Sequence, residues 1–146
     1  MSAYLECKTN FDDQETLVAA LQTLGWAPGQ IQVHSTAQNL HGYTGSERKQ
    51  TAEVIIDRKH LVGASNDLGF KRQSDGSWKM IISEFDVRRL PSKFPNAVPG
   101  TSFQSIITQA YAMTKMEANA KGRRLRVKKP ETVRWGEPIK MTIGVL

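Results

Sequence analysis

The segment Arg123-Arg124-Leu125-Arg126-Val127-Lys128-Lys129 places cations in alternation with apolar residues. Side chains alternate along a strand, so Arg124, Arg126 and Lys128 share one face and Leu125 and Val127 point at a core. Side chains two apart on a strand lie roughly 6–7 Å from each other. That is near the spacing of successive phosphates, so the row can track a nucleic-acid backbone or grip the phosphates of a nucleotide. Lys121 and Arg134 extend the patch. Trp135 is either a stacking platform for a base or a turn tryptophan folded over the core. The same row also suits a solvated strand face that keeps an exposed sheet from pairing with others.

A second anion-binding candidate is the loop Gly42-Tyr43-Thr44-Gly45 with Arg48-Lys49 behind it. Glycines let backbone N–H groups turn toward an anion, and a following basic pair completes such a site. The spacing is not that of a P-loop. Loops also favour glycine for conformational reasons alone.

Other chemistries lack a pattern. His34, His41 and His60 stand at no metal-ligand spacing with one another, with Cys7 or with a carboxylate, so no metal is expected. His41 and Asp67 meet only if the fold brings them together. No nucleophile elbow or paired acids occur, and no catalytic residue or cofactor is assigned. Asp12-Asp13 reads as helix capping. Cys7 alternates with Leu5 in a strand and reads as a small buried apolar residue. No helix-turn-helix, Cys/His finger or single-strand sheet signature accompanies the basic row.

The elements that must carry these residues follow from periodicity. Tyr4–Thr9 reads as a strand with Leu5 and Cys7 on one side. Leu17, Ala20, Leu21 and Leu24 recur at helical spacing, with caps at Asn10, Asp12 or Asp13 and a stop at Gly25. Residues 30–34 form a short strand with Ile31 and Val33 inward. Residues 35–51 are polar and aperiodic, which predicts a long loop or an irregular hairpin arm. Strands follow at 52–58, 68–72 and 78–85, the last two joined by a turn at Asp75-Gly76. Residues 86–100, with Pro91, Pro95 and Pro99, read as a loop that leaves Phe85, Phe94 and Val98 at least half exposed. Thr101 or Ser102 caps a second helix, whose apolar stripe is Phe103, Ile106, Ile107, Ala110, Tyr111 and Met113. Gly122 ends it. Strands at 123–128 and 140–145 close the chain, the latter with Met141, Ile143 and Val145 on one face.

The expected fold is α+β: a mainly antiparallel sheet of about six or seven short strands, with two amphipathic helices on one face. The chain has 146 residues, of which 39% are hydrophobic and 23% charged, in keeping with one domain over 1–146. No stretch approaches the roughly 20 apolar residues of a membrane span, so no membrane partner is expected. The single cysteine and the absence of a leader pattern at the start suit a cytoplasmic setting. Residues 111–146 hold 9 Lys+Arg and 3 Asp+Glu, which is the whole net charge of +6. A basic segment over 121–140 thus sits on a neutral body and attracts anions.

Four segments resemble a family of uncharacterised small proteins of cyanobacteria, other bacteria and red-algal plastids, known as a plastid open reading frame product. These are Glu15-Thr16-Leu17-Val18-Ala19-Ala20-Leu21 running to Leu24-Gly25-Trp26, then His41-Gly42-Tyr43-Thr44-Gly45, then Asp67-Leu68-Gly69-Phe70-Lys71-Arg72 with Asp75-Gly76, and Thr108-Gln109 with Tyr111-Ala112 and Lys115. Ser83-Glu84-Phe85-Asp86 departs from that family's tryptophan-rich strand end, and the loop at 86–101 is longer. The resemblance implies an α+β fold, lends no activity or site residues, and admits a phage-encoded origin.

Three functions are compatible with these residues. One is a non-enzymatic binder of nucleic acid or nucleotide phosphates. Another is an adaptor or inhibitor docking on an acidic protein surface. The third is an enzyme whose site assembles only in three dimensions. Exposed edge strands leave room for a dimer.

Overall fold

The computed structural model describes residues 3–145. Five antiparallel strands form the main sheet: β1 (Tyr4–Lys8), β2 (Ile31–His41), β3 (Glu47–Ile56), β4 (Leu68–Arg72) and β5 (Trp78–Ser83), in the order β1-β5-β4-β3-β2. Three helices accompany them: α1 (Gln14–Thr23), α2 (Glu84–Arg89) and α3 (Phe103–Gly122). Two further strands, β6 (Leu125–Lys128) and β7 (Thr142–Val145), pair only with each other. The α+β class is as expected. Among the described residues the strands divide between two sheets rather than one, and there are three α-helices rather than two.

Helix ends follow local chemistry. The Asp13 side chain accepts from the Thr16 amide at the start of α1, and Ser102 accepts from the Ser105 amide at the start of α3. Gly25 follows α1 with a left-handed φ of 113°, as a helix-ending glycine does. The apolar stripes of α1 and α3 then cover one face of the sheet. Leu17, Leu21, Phe103, Ile106 and Ile107 pack with Val54, Phe70, Met80 and Ile82 in one core. Phe11 stacks on Tyr111 at 4.3 Å, and Phe94 stacks on Phe103 at 6.0 Å.

The opposite face carries a smaller core of Leu40, Ala52, Ile55 and Ile81, with Tyr4 against it. The β2–β3 hairpin makes this core, and it occupies most of the stretch expected to be loop. Its polar side chains face solvent, so no apolar period marks it. Register shifts between Val33 and Gln38 and between Asn39 and His41 curl the ribbon over the sheet. Leu40 is thereby buried, whereas Val33, expected inward, is 46% exposed.

The strand expected to run to Phe85 ends at Ser83, and residues 86–93 are not the expected loop either. Ser83 ends β5 and caps α2 by accepting from the Asp86 amide, and a 3-10 turn at Leu90–Lys93 follows. Phe94 is buried in the core instead of exposed, and Phe85 and Val98 are half-buried. Among the described residues no helix is long and apolar enough to cross a membrane.

Candidate anion-binding surface

The basic row lies on the β6–β7 ribbon. Register pairs Arg126 with Gly144 and Lys128 with Thr142, and pairs Leu125 with Val145 and Val127 with Ile143. Directly opposed residues share a face. One face is therefore two cations opposite a glycine and a threonine, and the other is aliphatic. Leu125 and Val127 are half-buried, while Arg126 and Lys128 are exposed. A mainly apolar groove of about 400 Å³ runs between α3 and the ribbon, with Met116, Ala120, Leu125 and Ile143 in its walls and Lys115 and Arg123 lining it too. The alternation expected for β6 is present, but β7 is not a core strand: Ile143 is 47% and Val145 82% exposed.

Arg124 does not belong to the strand. Helix α3 runs to Gly122, Arg123 caps it by donating to Asn119 and Ala120 carbonyls, and Arg124 follows with a left-handed φ of 56°. Its amide donates to the Lys121 carbonyl at 3.0 Å. A glycine usually takes this position because a Cβ there is strained. The expected three-residue row is thus two strand residues, Arg126 and Lys128, preceded by an arginine on the helix-ending turn.

Ion pairs sort the cations. Lys129 reaches Glu117 at 3.2 Å, and Arg134 reaches Glu137 at 3.5 Å. Among the described residues Lys121, Arg123, Arg124, Arg126 and Lys128 are exposed and take part in no ion pair. Trp135 is 5% exposed and belongs to the main core, so it offers no open ring face for stacking. Its carbonyl accepts from the Val98 amide at 2.7 Å, which ties the turn to the segment before α3.

The glycine loop at 42–46 is the turn of the β2–β3 hairpin, and its amides are already used. Gly42 donates to Ser46 at 2.8 Å, Gly45 to Gly42 at 2.8 Å, and Tyr43 to the Asn66 Oδ1 at 2.8 Å. No anion nest remains at these three amides. Arg48 lies 4.8 Å above the Tyr4 ring, while Lys49 and Tyr43 are exposed.

The fold does bring His41 and Asp67 together. Asp67 is buried, and its carboxylate accepts the His41 amide at 2.8 Å and the Arg58 amide at 2.9 Å. The His41 Nδ1 and the Arg58 guanidinium stand 3.5 and 3.6 Å from it. The Tyr4 hydroxyl donates to the Asp67 carbonyl at 2.7 Å. Burial, the Asp67 charge and Asp86 push the Tyr4 hydroxyl pKa far upward, against the opposing pull of Arg48 and Arg58. Every contact of Asp67 holds backbone or a neighbour in place. It is a structural carboxylate that clamps the hairpin turn, and the open cleft of about 330 Å³ beside it lacks Tyr43.

The remaining histidines each meet a glutamine side chain. His60 meets Gln30 at 3.3 Å and His34 meets Gln32 at 3.0 Å. Burial raises the Cys7 thiol above its ordinary value, which suits an unreactive half-buried side chain. Among the described residues no group of three or more His, Cys, Asp or Glu side chains is placed to hold a metal ion.

No curated protein and no solved structure matches the chain. A family model does, described as a protein of unknown function (DUF1257), and its match over residues 20–137 takes in β2 to β6, α2, α3 and the Asp67 clamp. By that match, which spans well over half of its length, the chain belongs to the DUF1257 family.

Proposed function

We propose that the protein is a non-enzymatic binding module that takes nucleic acid through phosphate contacts on its basic surface. Arg126 and Lys128 make the centre of that surface, with Lys121 and Arg124 at the end of α3 and Arg123 on the groove side of the ribbon. One observation carries this reading: five exposed cations within Lys121–Lys128 take part in no ion pair, although Lys129 and Arg134 close by each have an acidic partner. Cations that only solubilise a surface gain nothing from being kept apart from nearby carboxylates. Cations held for an incoming polyanion do. The small residues opposite, Gly144 and Thr142, leave the ribbon face open to a phosphate backbone. Among the described residues no stacking aromatic joins them, so binding without strong sequence preference is expected.

The test is a fluorescence-anisotropy titration with short labelled DNA and RNA, single-stranded and duplex, at low and moderate salt. If all five cations contact phosphates of B-DNA, log Kobs falls with log salt at a slope of about −4.5. Absence of binding at low salt rejects the proposal. Competition by free nucleotide at equal phosphate concentration would reassign the surface to a mononucleotide.

A further inference from the structure

Among the described residues the open edge of β7 differs from the other strand edges. Four described strands have an unpaired edge: β1, β2, β6 and β7. Natural proteins blunt such edges with charge, bulges or cover, because bare N–H and C=O groups invite another strand. β1 carries Glu6 and Lys8, β6 carries Arg126 and Lys128, and β2 is broken by register shifts. β7 reads Thr-Ile-Gly-Val, all four residues are exposed, and it has no charge and no bulge.

We propose that β7 pairs with β7 of a second copy of this chain, giving a two-fold dimer with a continuous sheet in the order β6-β7-β7-β6. An antiparallel pair of identical strands is self-complementary, so the closed two-fold arrangement needs no second surface. Charge also selects this occupant. A strand carrying acidic side chains would find none of its cationic partners on β7 itself, because Arg126 and Lys128 lie one strand away. A neutral β-branched strand matches, and β7 is one. The exposed Ile143 and Val145 then meet their counterparts on the aliphatic face.

The two-fold axis of an antiparallel pair stands perpendicular to the sheet, so both basic faces point the same way. The two β6 strands are separated by three strand spacings, about 14 Å. That exceeds the roughly 8–10 Å screening length at physiological salt, so repulsion between the rows is weak. The second copy thereby adds its own Arg126 and Lys128 to one surface. Two cation rows about 14 Å apart approach the roughly 12 Å width of the B-form major groove, which suits the two backbones of a duplex. This last point rests on the nucleic-acid reading; the dimer does not.

Sedimentation velocity without nucleic acid, from micromolar to several hundred micromolar protein, tests the pairing. A concentration-dependent monomer–dimer equilibrium is expected. Ile143→Lys with Val145→Lys, which sets like charges across the contact, should weaken it more than tenfold, and Val145→Thr should retain it. Deuterium uptake by the amides of residues 142–145 should fall as wild-type concentration rises. A wild-type monomer throughout the range overturns the proposal, as does a dimer in which uptake at 142–145 does not depend on concentration. Because no anion is present, either result leaves the binding titration to stand or fall separately.

Discussion

Asp67 and His41 hold each other by two hydrogen bonds in opposite directions. The Asp67 carboxylate accepts the His41 amide at 2.8 Å, and the Asp67 amide donates to the His41 carbonyl at 2.9 Å. The neighbouring Asn66 side chain accepts the Tyr43 amide at 2.8 Å. Two consecutive side chains before β4 therefore grip the hairpin turn that closes β2 on β3. The Asp67 carboxylate also accepts the Arg58 amide, so the 3-10 turn that follows β3 joins the same clamp.

Asp67→Ala leaves two backbone amides without an acceptor at a buried carboxylate site. Each such orphaned donor costs about 1–3 kcal/mol, so a loss of about 2–6 kcal/mol is expected in urea unfolding. Asp67→Asn keeps one acceptor oxygen and should lose about half as much. Equal stability of both variants and the wild type would contradict the clamp.

Gly69 is the second support of the same face. A Cβ there would stand 2.8 Å from the Ala52 Cβ and 3.0 Å from both Leu40 methyls. Leu40 and Ala52 belong to the small core that the curled hairpin lays on the sheet. Gly69→Ala should therefore destabilise by about 1–3 kcal/mol through overpacking. Adding Ala52→Gly removes the closest clash and should restore part of that loss in the same unfolding assay. Additive losses in the double variant would show that the contact is not the cause.

These two residues also show what sequence can and cannot reveal. Asp75-Gly76 marks its hairpin because the turn is a property of a few adjacent residues, and the structure has it there. The apolar stripe of α3 is legible for the same reason, and all six of its residues are buried. The β2–β3 hairpin is not legible, because its pairing depends on Leu40 reaching Gly69 and on Asp67 reaching His41, contacts set by the fold. A local signal for α2 did exist: Ser83 with Asp86 three residues on is a capping pattern before a short helix. Alternation found β6 but said nothing of its partner, so the basic row was recognisable while its placement outside the main sheet was not. Arg124 left no trace of its left-handed backbone, since glycine is the usual marker and Gly122 stands two residues earlier.

Asp86 should make stability depend on pH in an unusual direction. It is fully buried, its Oδ2 accepts from the Ser83 hydroxyl at 3.0 Å, and its Oδ1 has no hydrogen-bond partner. Burial raises its pKa from the ordinary 3.8, against the opposing effect of the Ser65 and Ser83 hydroxyls. The native state then holds this proton longer than the unfolded chain. Stability from this group is present below 3.8 and declines as pH rises from there through the raised value. Asp86→Asn removes that decline and supplies a neutral side chain. The variant should gain on the wild type in unfolding free energy as pH rises through this window, then keep a constant lead. A lead independent of pH would point to packing rather than protonation.

Arg124 separates binding from stability. An L-residue in the left-handed region costs roughly 1–2 kcal/mol, and glycine relieves that cost. Arg124→Gly should therefore raise unfolding stability by about 1 kcal/mol and leave α3 capped as before. The same change removes one of the five exposed cations that take part in no ion pair. The salt slope of duplex binding should become shallower by about 0.9. Arg126→Gln removes one strand cation and should lower the slope by the same amount without the gain in stability. Lys129→Gln, whose cation already serves Glu117, should change the slope least. Strain retained at Arg124 then has a function, because the turn residue best for the helix end is not the one best for the anion. A variant that is both more stable and an undiminished binder would place Arg124 outside the binding surface and leave its backbone conformation as strain alone.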